Sequence, residues 1–241
     1  MKLDGQVALV TGGSRGLGLA IGTALGAEGC AVSVMARPGA ELDAAVAKLS
    51  AGGGRAMAAP ADVTKAAEVE AAVKATVEHW GRLDILVLNA GTWAGASIAE
   101  TSEQQWDSLL NLNLKGAFLA LKAAIPWLTA QRKGTVVGIA SLGALTGQPG
   151  SAAYAASKWG LRGLLESAAL ELKPNRVRVS LVYPHNINSA GRAIEPGSKE
   201  RDQNLEPREI ASLVAWICTA PEHVAVGNVT VWPITAGIGM R

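Results

Sequence analysis

Short runs of consecutive apolar residues alternate along the chain with longer stretches that have a helical period. The apolar runs, which predict strands, are Val7–Val10, Ala31–Met35, Ala56–Ala59, Ile85–Leu88, Thr135–Ile139, Val177–Val182 and Val229–Trp232. The longer stretches, which predict helices, are Leu17–Glu28, Ala40–Leu49, Lys65–Trp80, Ser102–Leu128, Ala152–Leu172 and Pro207–Thr219. Strands that are apolar on nearly every residue are buried on both faces, as in a parallel sheet covered by helices. The pattern therefore predicts an α/β fold, a Rossmann-type, doubly wound parallel sheet of about seven strands with helices on both faces.

Residues 1–241 are predicted to form a single domain, because no linker divides the alternating pattern. One polar, irregular stretch, Asn186–Glu206, could be a linker. Too few residues follow it for a second domain. Loops of this length inside compact domains are usually functional, so the stretch is interpreted as a lid over a pocket.

The composition narrows the class of protein. Apolar residues make up 49% of the chain and the formal net charge is +2, which favours a folded core and gives no nucleic-acid footprint. Cys30 and Cys218 are expected to be buried free thiols. The most apolar helical stretch, Gly116–Ala130, carries Lys122 and Pro126 and is expected to lie in the core or at an interface. With no targeting segment visible, we expect a soluble, cytoplasmic protein.

A glycine-rich turn follows the first strand and opens the first helix. Its residues are Gly12, Ser14, Arg15, Gly16, Leu17 and Gly18. Glycine accepts positive φ and lets the backbone approach a pyrophosphate, and the helix N-terminus offers free N–H groups. The alternative is a tight strand-to-helix turn without a ligand, but the strand–turn–helix context is the one that dinucleotide binding requires.

The second strand ends in Met35-Ala36-Arg37, without the acidic residue that would bind an adenosine ribose. Arg15 and Arg37 together would instead favour a ribose phosphate through charge-assisted contacts. The alternative for Arg37 is an ordinary solvated arginine. The pair predicts NADP(H) in preference to NAD(H).

Tyr154 and Lys158 lie one helical turn apart and share a face, and Ser141 follows the fifth strand. A lysine cation about 5 Å away, at an effective dielectric of about 20, would contribute roughly 3 kcal/mol and lower the pKa of the tyrosine by about two units. Ser141 would hold a substrate oxygen toward Tyr154. Taken alone, the Tyr–Lys pair could equally be an ordinary helix pair.

In order and spacing, the chain resembles the short-chain dehydrogenase/reductase family over essentially its whole length. The matching pieces are Thr11–Gly18, Asp62-Val63, Asn89-Ala90-Gly91, Asn113, Ser141, Tyr154-x-x-x-Lys158 and Pro184 through Ser189. The resemblance implies that Ser141 positions a carbonyl, Tyr154 donates a proton and Lys158 binds the nicotinamide ribose. Asn113 would hold a water that links Lys158 to solvent.

The resemblance also implies the rest of the cofactor site and the assembly. Asp62 and Val63 would contact the adenine, and Asn89, Ala90 and Gly91 would line the cleft. Pro184, Ile187 and Ser189 would anchor the nicotinamide end, with Ile187 and Ser189 binding the carboxamide and phosphates. A homotetramer, or a homodimer, would form through the helices Ser102–Leu128 and Ala152–Leu172 and the C-terminal strand region.

Residues just after the strand ends are candidates for substrate contacts, since ligands bind there in open α/β sheets. They are Trp93, Leu142, Gly143, Gln148, Tyr183, His185 and Asn186. The alternative for Trp93 is a packing role. His185 stands where the family usually has glycine, and a loop side chain of this kind more often turns outward to water than into the pocket. The mixture suits a modest hydrophobic ketone or aldehyde.

The sequence thus predicts an NADPH-dependent carbonyl reductase, reversible as an alcohol dehydrogenase, with a small-molecule substrate and no metal, nucleic-acid or membrane partner. A 3-oxoacyl-thioester reductase is the second hypothesis, although Val231-Trp232-Pro233-Ile234 lacks the double glycine common in such members. The third is a dinucleotide-binding sensor or scaffold without turnover. A sensor has no need of Ser141 and Tyr154, which favours an enzyme.

Overall fold

A computed structural model describes residues 1–188 and 203–236 of the chain. Within these residues the strands are Val7–Thr11 (β1), Ala31–Ala36 (β2), Ala56–Pro60 (β3), Ile85–Leu88 (β4), Gly134–Ile139 (β5), Val177–Pro184 (β6) and Asn228–Val231 (β7). Neighbouring strands pair in parallel, in the order β3-β2-β1-β4-β5-β6-β7. The order reverses between β1 and β4, and ligands bind at such a switch point in doubly wound sheets. The predicted fold class is confirmed.

Helices connect the strands and cover both faces of the sheet. They are Gly16–Ala27 (α1), Ala40–Ser50 (α2), Ala66–Trp80 (α3), Glu103–Leu110 (α4), Gly116–Ala130 (α5), Ala152–Leu172 (α6) and Pro207–Thr219 (α7). The long helical stretch predicted after Ser102 is interrupted by a π-helical turn, Asn111–Lys115, between α4 and α5. Such turns inside helices are frequent at functional sites.

The core consists of two apolar layers, one on each face of the sheet. Alternation along β1 shows how one strand serves both, because Leu9 packs in the layer with α3, α5 and α6, whereas Ala8 and Val10 pack in the layer with α1, α2 and α7. This explains why the central strands are apolar at successive positions. Cys30 and Cys218 are free and buried in the second layer, as predicted. Burial raises the pKa of Cys218 to about 12.

Candidate functional site

A cleft of about 1310 Å³ runs along the carboxyl edge of the sheet. It runs from the loops after β2 and β3, past the glycine turn after β1 and the loop after β4, to the loops after β5 and β6. These loops meet at one edge because the strands are parallel, and their order along the cleft is the strand order of the sheet.

The glycine turn is tightly built against the start of α1. Gly12 and Gly16 have φ angles of 63° and 53°, which glycine adopts without strain. A Cβ on Gly18 would overlap the carbonyl oxygen of Gly12, so a larger residue cannot occupy this position without moving the turn. Arg15 is the N-cap residue of α1, and its side chain accepts no hydrogen bond from the helix. The first N–H groups of the helix therefore remain available to an anion. Together with Ser14 and Leu17, the turn lines the cleft as predicted.

Thr11 ties the glycine turn to the loop after β4. Its hydroxyl donates to Val87 O at 3.1 Å and accepts from the backbone N–H groups of Asn89 and Ala90 at 2.9 and 3.1 Å. Asn89 Nδ2 donates in return to the carbonyl oxygens of Thr11 and Gly12, at 3.0 and 3.2 Å. This role of Thr11 could not be predicted from the sequence, where its only signal is its position between a buried strand and the glycines.

The end of the cleft beside β2 and β3 carries the residues predicted to bind the adenine and a ribose phosphate. Asp62 Oδ1 accepts hydrogen bonds from the backbone N–H and the hydroxyl of Thr64, at 2.9 and 2.7 Å, and these bonds hold the pKa of Asp62 below its usual range. Arg15 forms an exposed ion pair with Glu41 at 3.5 Å. Arg37 is exposed and has no ion pair among the described residues. Val63 is buried beside Asp62 and lines the same cleft.

Ser141, Tyr154 and Lys158 converge in the cleft from β5 and α6. Gly143 lies against two of them, since a Cβ there would be 3.2 Å from Tyr154 Cε1 and 3.6 Å from Ser141 Oγ. Ser141 Oγ accepts a hydrogen bond from Gly143 N at 3.1 Å. Lys158 Nζ lies 5.9 Å from the centre of the Tyr154 ring and donates to Ile139 O at 3.0 Å. The sequence predicted this convergence.

The predicted direction of the tyrosine shift is wrong for this structure. Burial raises the pKa of Tyr154, and a hydrogen bond with Ser141 only partly opposes the rise. Burial also lowers the pKa of Lys158 to about 8, because its ammonium has no ion pair among the described residues. Both side chains leave water, so each charged form is disfavoured. The attraction between the two charges, from which the shift was predicted, is outweighed here by the cost of burying them.

Asn113 is buried in the π-helical turn and fastens the loop after β4 to α6. Its Oδ1 accepts from Thr92 N at 2.8 Å, and its Nδ2 donates to Thr92 O at 2.9 Å and to Ser157 Oγ at 3.0 Å. Ser157 in turn donates to Tyr154 O at 2.7 Å. Both N–H donors of the Asn113 side chain are therefore used. Thr92 and Ser157 were missed by sequence reasoning, although each adjoins a residue of the family pattern.

All but one of the residues predicted to contact substrate line the cleft, and their contact with a substrate stays a prediction. Trp93, Leu142, Gly143, Gln148, His185 and Asn186 all line the cleft, together with Pro184 and Ile187. Trp93 is 64% exposed, which speaks against the alternative packing role. The expectation that His185 turns outward to water is wrong for part of its ring, because Nδ1 is buried, and the residue lines the cleft.

Tyr183 is the exception. It is 1% exposed and packs in the layer with α5 and α6, so its place among the candidate substrate contacts is wrong. The cause is strand alternation, since Val182 before it packs on the opposite face and Tyr183 must point into the helix-covered side. A position near a strand end does not by itself put a side chain in the crevice.

The predicted lid lies mostly beyond what the structure describes. Its two ends pair with each other, as Asn188 N donates to Leu205 O at 2.7 Å and Leu205 N donates to Asn186 O at 2.8 Å. Ser189, predicted to bind the cofactor, lies outside the described residues. The role of 186–206 as a lid stays a prediction. In the described ranges, no helix has the length and apolar character needed to cross a membrane.

Curated relatives cover nearly the whole chain. A family profile described as short chain dehydrogenase matches residues 6–196. A 3-oxoacyl-[acyl-carrier-protein] reductase of Synechocystis sp. is 39% identical over 91% of this chain and 91% of its own length. An uncharacterized oxidoreductase of Listeria innocua is 30% identical over 98% of this chain and 99% of its own length.

Solved structures of oxidoreductases are also similar to this chain over nearly its whole length. A metagenomic short-chain oxidoreductase in complex with NADP has a TM-score of 0.85 and 37% identity, over 97% of this chain and 99% of that chain. An alcohol dehydrogenase from the archaeon Thermococcus sibiricus, complexed with 5-hydroxy-NADP, has a TM-score of 0.89 and 28% identity, over 97% and 98%. The sequence pattern, the sheet order, the cleft and these similarities agree, and the chain belongs to the short-chain dehydrogenase family of oxidoreductases.

Proposed function

We propose that the protein is an NADP(H)-dependent carbonyl reductase, working in reverse as an alcohol dehydrogenase, on small to medium, mainly hydrophobic ketones or aldehydes. The observation that carries the proposal is the convergence of Ser141, Tyr154 and Lys158 in a cleft that the glycine turn also lines. The overlap of a Cβ at Gly18 with Gly12 supports a backbone cradle for a dinucleotide.

The chain's own residues fit a dinucleotide along the whole cleft. Gly12, Gly16 and the N-terminus of α1 would hold its pyrophosphate, Asp62 and Val63 its adenine, and Arg15 and Arg37 a ribose phosphate. When bound, the nicotinamide supplies a hydride to a carbonyl carbon or accepts one from an alcohol. When a carbonyl is reduced, its oxygen also needs a proton, and a side chain of the protein provides that proton.

Tyr154 is the proton donor in the direction of reduction. Because burial raises its pKa, the phenol stays protonated at neutral pH, which is the state that a donor needs. Ser141, which lies beside Tyr154 across Gly143, holds the substrate oxygen next to the phenol. Lys158 has a lowered pKa of about 8 and exchanges protons near neutrality, which suits a relay that recharges Tyr154.

Asn113 and Gly91 extend this relay. A Cβ on Gly91 would lie 3.1 Å from Asn113 Oδ1 and 3.6 Å from Lys158 Nζ, so both polar groups face the same small space. A water there would accept a hydrogen bond from Lys158 Nζ and donate one to Asn113 Oδ1. The N–H groups of the Asn113 side chain are already used in other hydrogen bonds. This arrangement supports the implied link from Lys158 to solvent.

A 3-oxoacyl-thioester reductase is the second candidate. It is favoured by the Synechocystis relative, whose name gives that activity. A panel of ketones, aldehydes and acyl thioesters, followed by NADPH absorbance, separates the two candidates. Preference for acyl thioesters over every simple ketone and aldehyde would move the proposal to the second one.

We also propose that copies of the chain assemble through α4, α5 and α6. These helices expose large apolar side chains, including Trp106, Phe118 and Trp159. Exposed apolar patches of this kind commonly mark protein interfaces. Light scattering on the purified protein tests the proposal, and a monomer at micromolar concentration would contradict it.

Tyr154→Phe tests the mechanism against a sensor or scaffold without turnover. The variant keeps the ring and removes the proton donor, so it is expected to bind NADPH with nearly unchanged affinity and to lose turnover by a factor of about a hundred or more. NADPH fluorescence measures binding and its absorbance measures turnover. Undiminished turnover would discard Tyr154 as the proton donor.

A further inference from the structure

His185 follows β6 directly, at the same edge of the sheet as Ser141. Its backbone N–H donates to Val231 O at 2.8 Å, which continues the pairing of β6 with β7. On the other side, Ala140 N donates to Val182 O at 2.8 Å, so the chain that leads to Ser141 runs beside β6. Adjacent strands lie about 4.8 Å apart. His185 and Ser141 therefore leave neighbouring strands and line the same cleft.

The two ring nitrogens of His185 have different surroundings. Nδ1 is buried and has no hydrogen-bond partner among the described residues. Nε2 is not among the buried unpartnered atoms and makes no hydrogen bond to the described residues, so it keeps some exposure. Because His185 lines the cleft, we take Nε2 as the ring nitrogen that faces it. Burial lowers the pKa of His185, so the ring is neutral at physiological pH and carries one proton.

The position of that proton follows from the cost of burial. A buried N–H group without an acceptor is rarer in proteins than an unused acceptor, because the lost hydrogen bond to water is not replaced. The favoured tautomer therefore leaves Nδ1 as an unused acceptor and places the proton on Nε2. His185 then presents an uncharged N–H donor to the cleft, where a glycine would present nothing.

We infer that His185 is a specificity-determining residue, which donates a hydrogen bond from Nε2 to a second acceptor oxygen of the substrate, a few bonds from the carbonyl held by Ser141. The preferred substrates would be dicarbonyl compounds or oxo esters, in preference to ketones with a single oxygen. The inference rests on the proposed carbonyl reductase activity and narrows its substrate class.

Matched substrate pairs test the inference. Diacetyl is compared with butanone, and ethyl acetoacetate with methyl pentyl ketone, by kcat/KM from NADPH absorbance. Dicarbonyl compounds are intrinsically more electrophilic than simple ketones. The readout is therefore the change of each ratio between wild type and variant, in which intrinsic reactivity cancels.

His185→Phe keeps a ring of similar size and removes the donor, while His185→Gln keeps an N–H donor. We expect His185→Phe to lower the ratio of at least one pair by about three- to tenfold, which is the worth of one neutral hydrogen bond. His185→Gln should restore part of that loss. His223→Phe is the matched control, because His223 is exposed and lies outside the cleft, and it should leave both ratios at the wild-type value.

The outcomes separate the inference from the proposed function. A fall for the diacetyl pair alone, or for the acetoacetate pair alone, supports the inference and locates the second oxygen. Unchanged ratios for both pairs in His185→Phe would overturn it, even if every ketone is reduced. If wild type reduces none of the four compounds and no other carbonyl, the proposed function itself fails and the inference fails with it. Should His185→Phe not fold, His185→Gly gives the same comparison, since it also lacks the donor.

Discussion

Asn113 donates a hydrogen bond from its side-chain amide to the hydroxyl of Ser157, and Ser157 is the residue before Lys158 on α6. The same hydroxyl donates to the backbone carbonyl of Tyr154. One serine thus fixes the π-helical turn against the helix that carries both proton-transfer residues. The π-helical turn between α4 and α5 carries Asn113, and Gly91 lies against both Asn113 and Lys158.

Gly91→Ala tests whether the space between Asn113 and Lys158 takes part in the reaction. The added methyl would lie 3.1 Å from Asn113 Oδ1 and 3.6 Å from Lys158 Nζ, where it displaces any water that joins them. We expect kcat to fall by about tenfold or more, since general acid–base steps contribute factors of a hundred or more. Steady-state kinetics with a good ketone substrate measures the effect.

Gly163→Ala on α6 is the control for that experiment, because a Cβ there meets nothing within 4 Å. It should keep the wild-type kcat and raise stability slightly, by about 0.5–1 kcal/mol, as alanine is favoured over glycine inside helices. A wild-type kcat in Gly91→Ala as well would remove the space beside Gly91 from the proton relay.

Much of the fold could be predicted from the sequence, because buried parallel strands and amphipathic helices leave different periodic patterns. Ile85–Leu88 and Ala152–Leu172 have the predicted bounds. The π-helical turn could not be predicted, since one extra residue in a helix hardly changes its apolar pattern. Tyr183 was misplaced because the choice of face depends on the register of the strand, which only the packed sheet reveals.

The candidate site, like the fold, could be predicted from the sequence only in part. The proton-transfer and cofactor-binding candidates could be predicted from their order and spacing in the sequence, and most of them line the cleft. Their partners could not, because Thr11 and Ser157 act through hydrogen bonds that join distant parts of the chain. The pKa shift of Tyr154 had the wrong predicted direction for a similar reason, as burial is a property of the packed molecule and no spacing along the chain reports it.

Arg37→Asp tests the predicted preference for NADP(H). Arg15 forms an ion pair with Glu41, whereas Arg37 has no ion pair among the described residues. Arg37 is therefore the more available of the two cations for a ribose phosphate. We expect kcat/KM for NADPH to fall by about tenfold or more, since hydrogen bonds to charged groups are worth about 1.5–3 kcal/mol. The value for NADH should rise or stay constant, because a carboxylate suits an unphosphorylated ribose.

Two further variants sharpen that comparison. Arg208→Asp makes the same charge change on the exposed start of α7, outside the cleft, and should leave the ratio of NADPH to NADH efficiency unchanged. Glu41→Gln frees Arg15 from its ion pair and should favour NADPH further. Equal or better wild-type efficiency with NADH would contradict the predicted preference.

Gly18→Ala tests the cradle at the start of α1. Its Cβ would overlap Gly12 O and lie 2.7 Å from Asn89 Nδ2, so the turn must open. We expect NADPH affinity, measured by fluorescence titration, to fall by at least about tenfold, because the backbone N–H groups lose their common direction. Gly26→Ala, on the same helix with no atom within 4 Å of the new methyl, should bind NADPH as wild type does. Equal affinity in both variants would disconnect the turn from cofactor binding.

Lys158→Met tests the burial of the lysine through the pH dependence of folding. Burial lowers the pKa of Lys158 to about 8 in the folded protein, from 10.5 for the free side chain. Between these values the unfolded chain binds the proton more tightly than the folded chain, so this group makes stability rise with pH. Below about pH 8 the unfavourable contribution is complete and amounts to about 3 kcal/mol.

The variant has no such group, so its stability relative to wild type should be greatest near neutrality. Between about pH 7 and about pH 9.5 we expect that relative stability to decrease by about 2 kcal/mol, measured by urea unfolding at each pH. Cys30 and Cys218 also titrate at alkaline pH, but burial raises the pKa of both thiols in wild type and variant alike, and their contribution cancels in the difference. A difference that does not change with pH would mean that the Lys158 ammonium is hydrated in the folded protein, and Lys158 would then lose its place as a proton relay near neutrality.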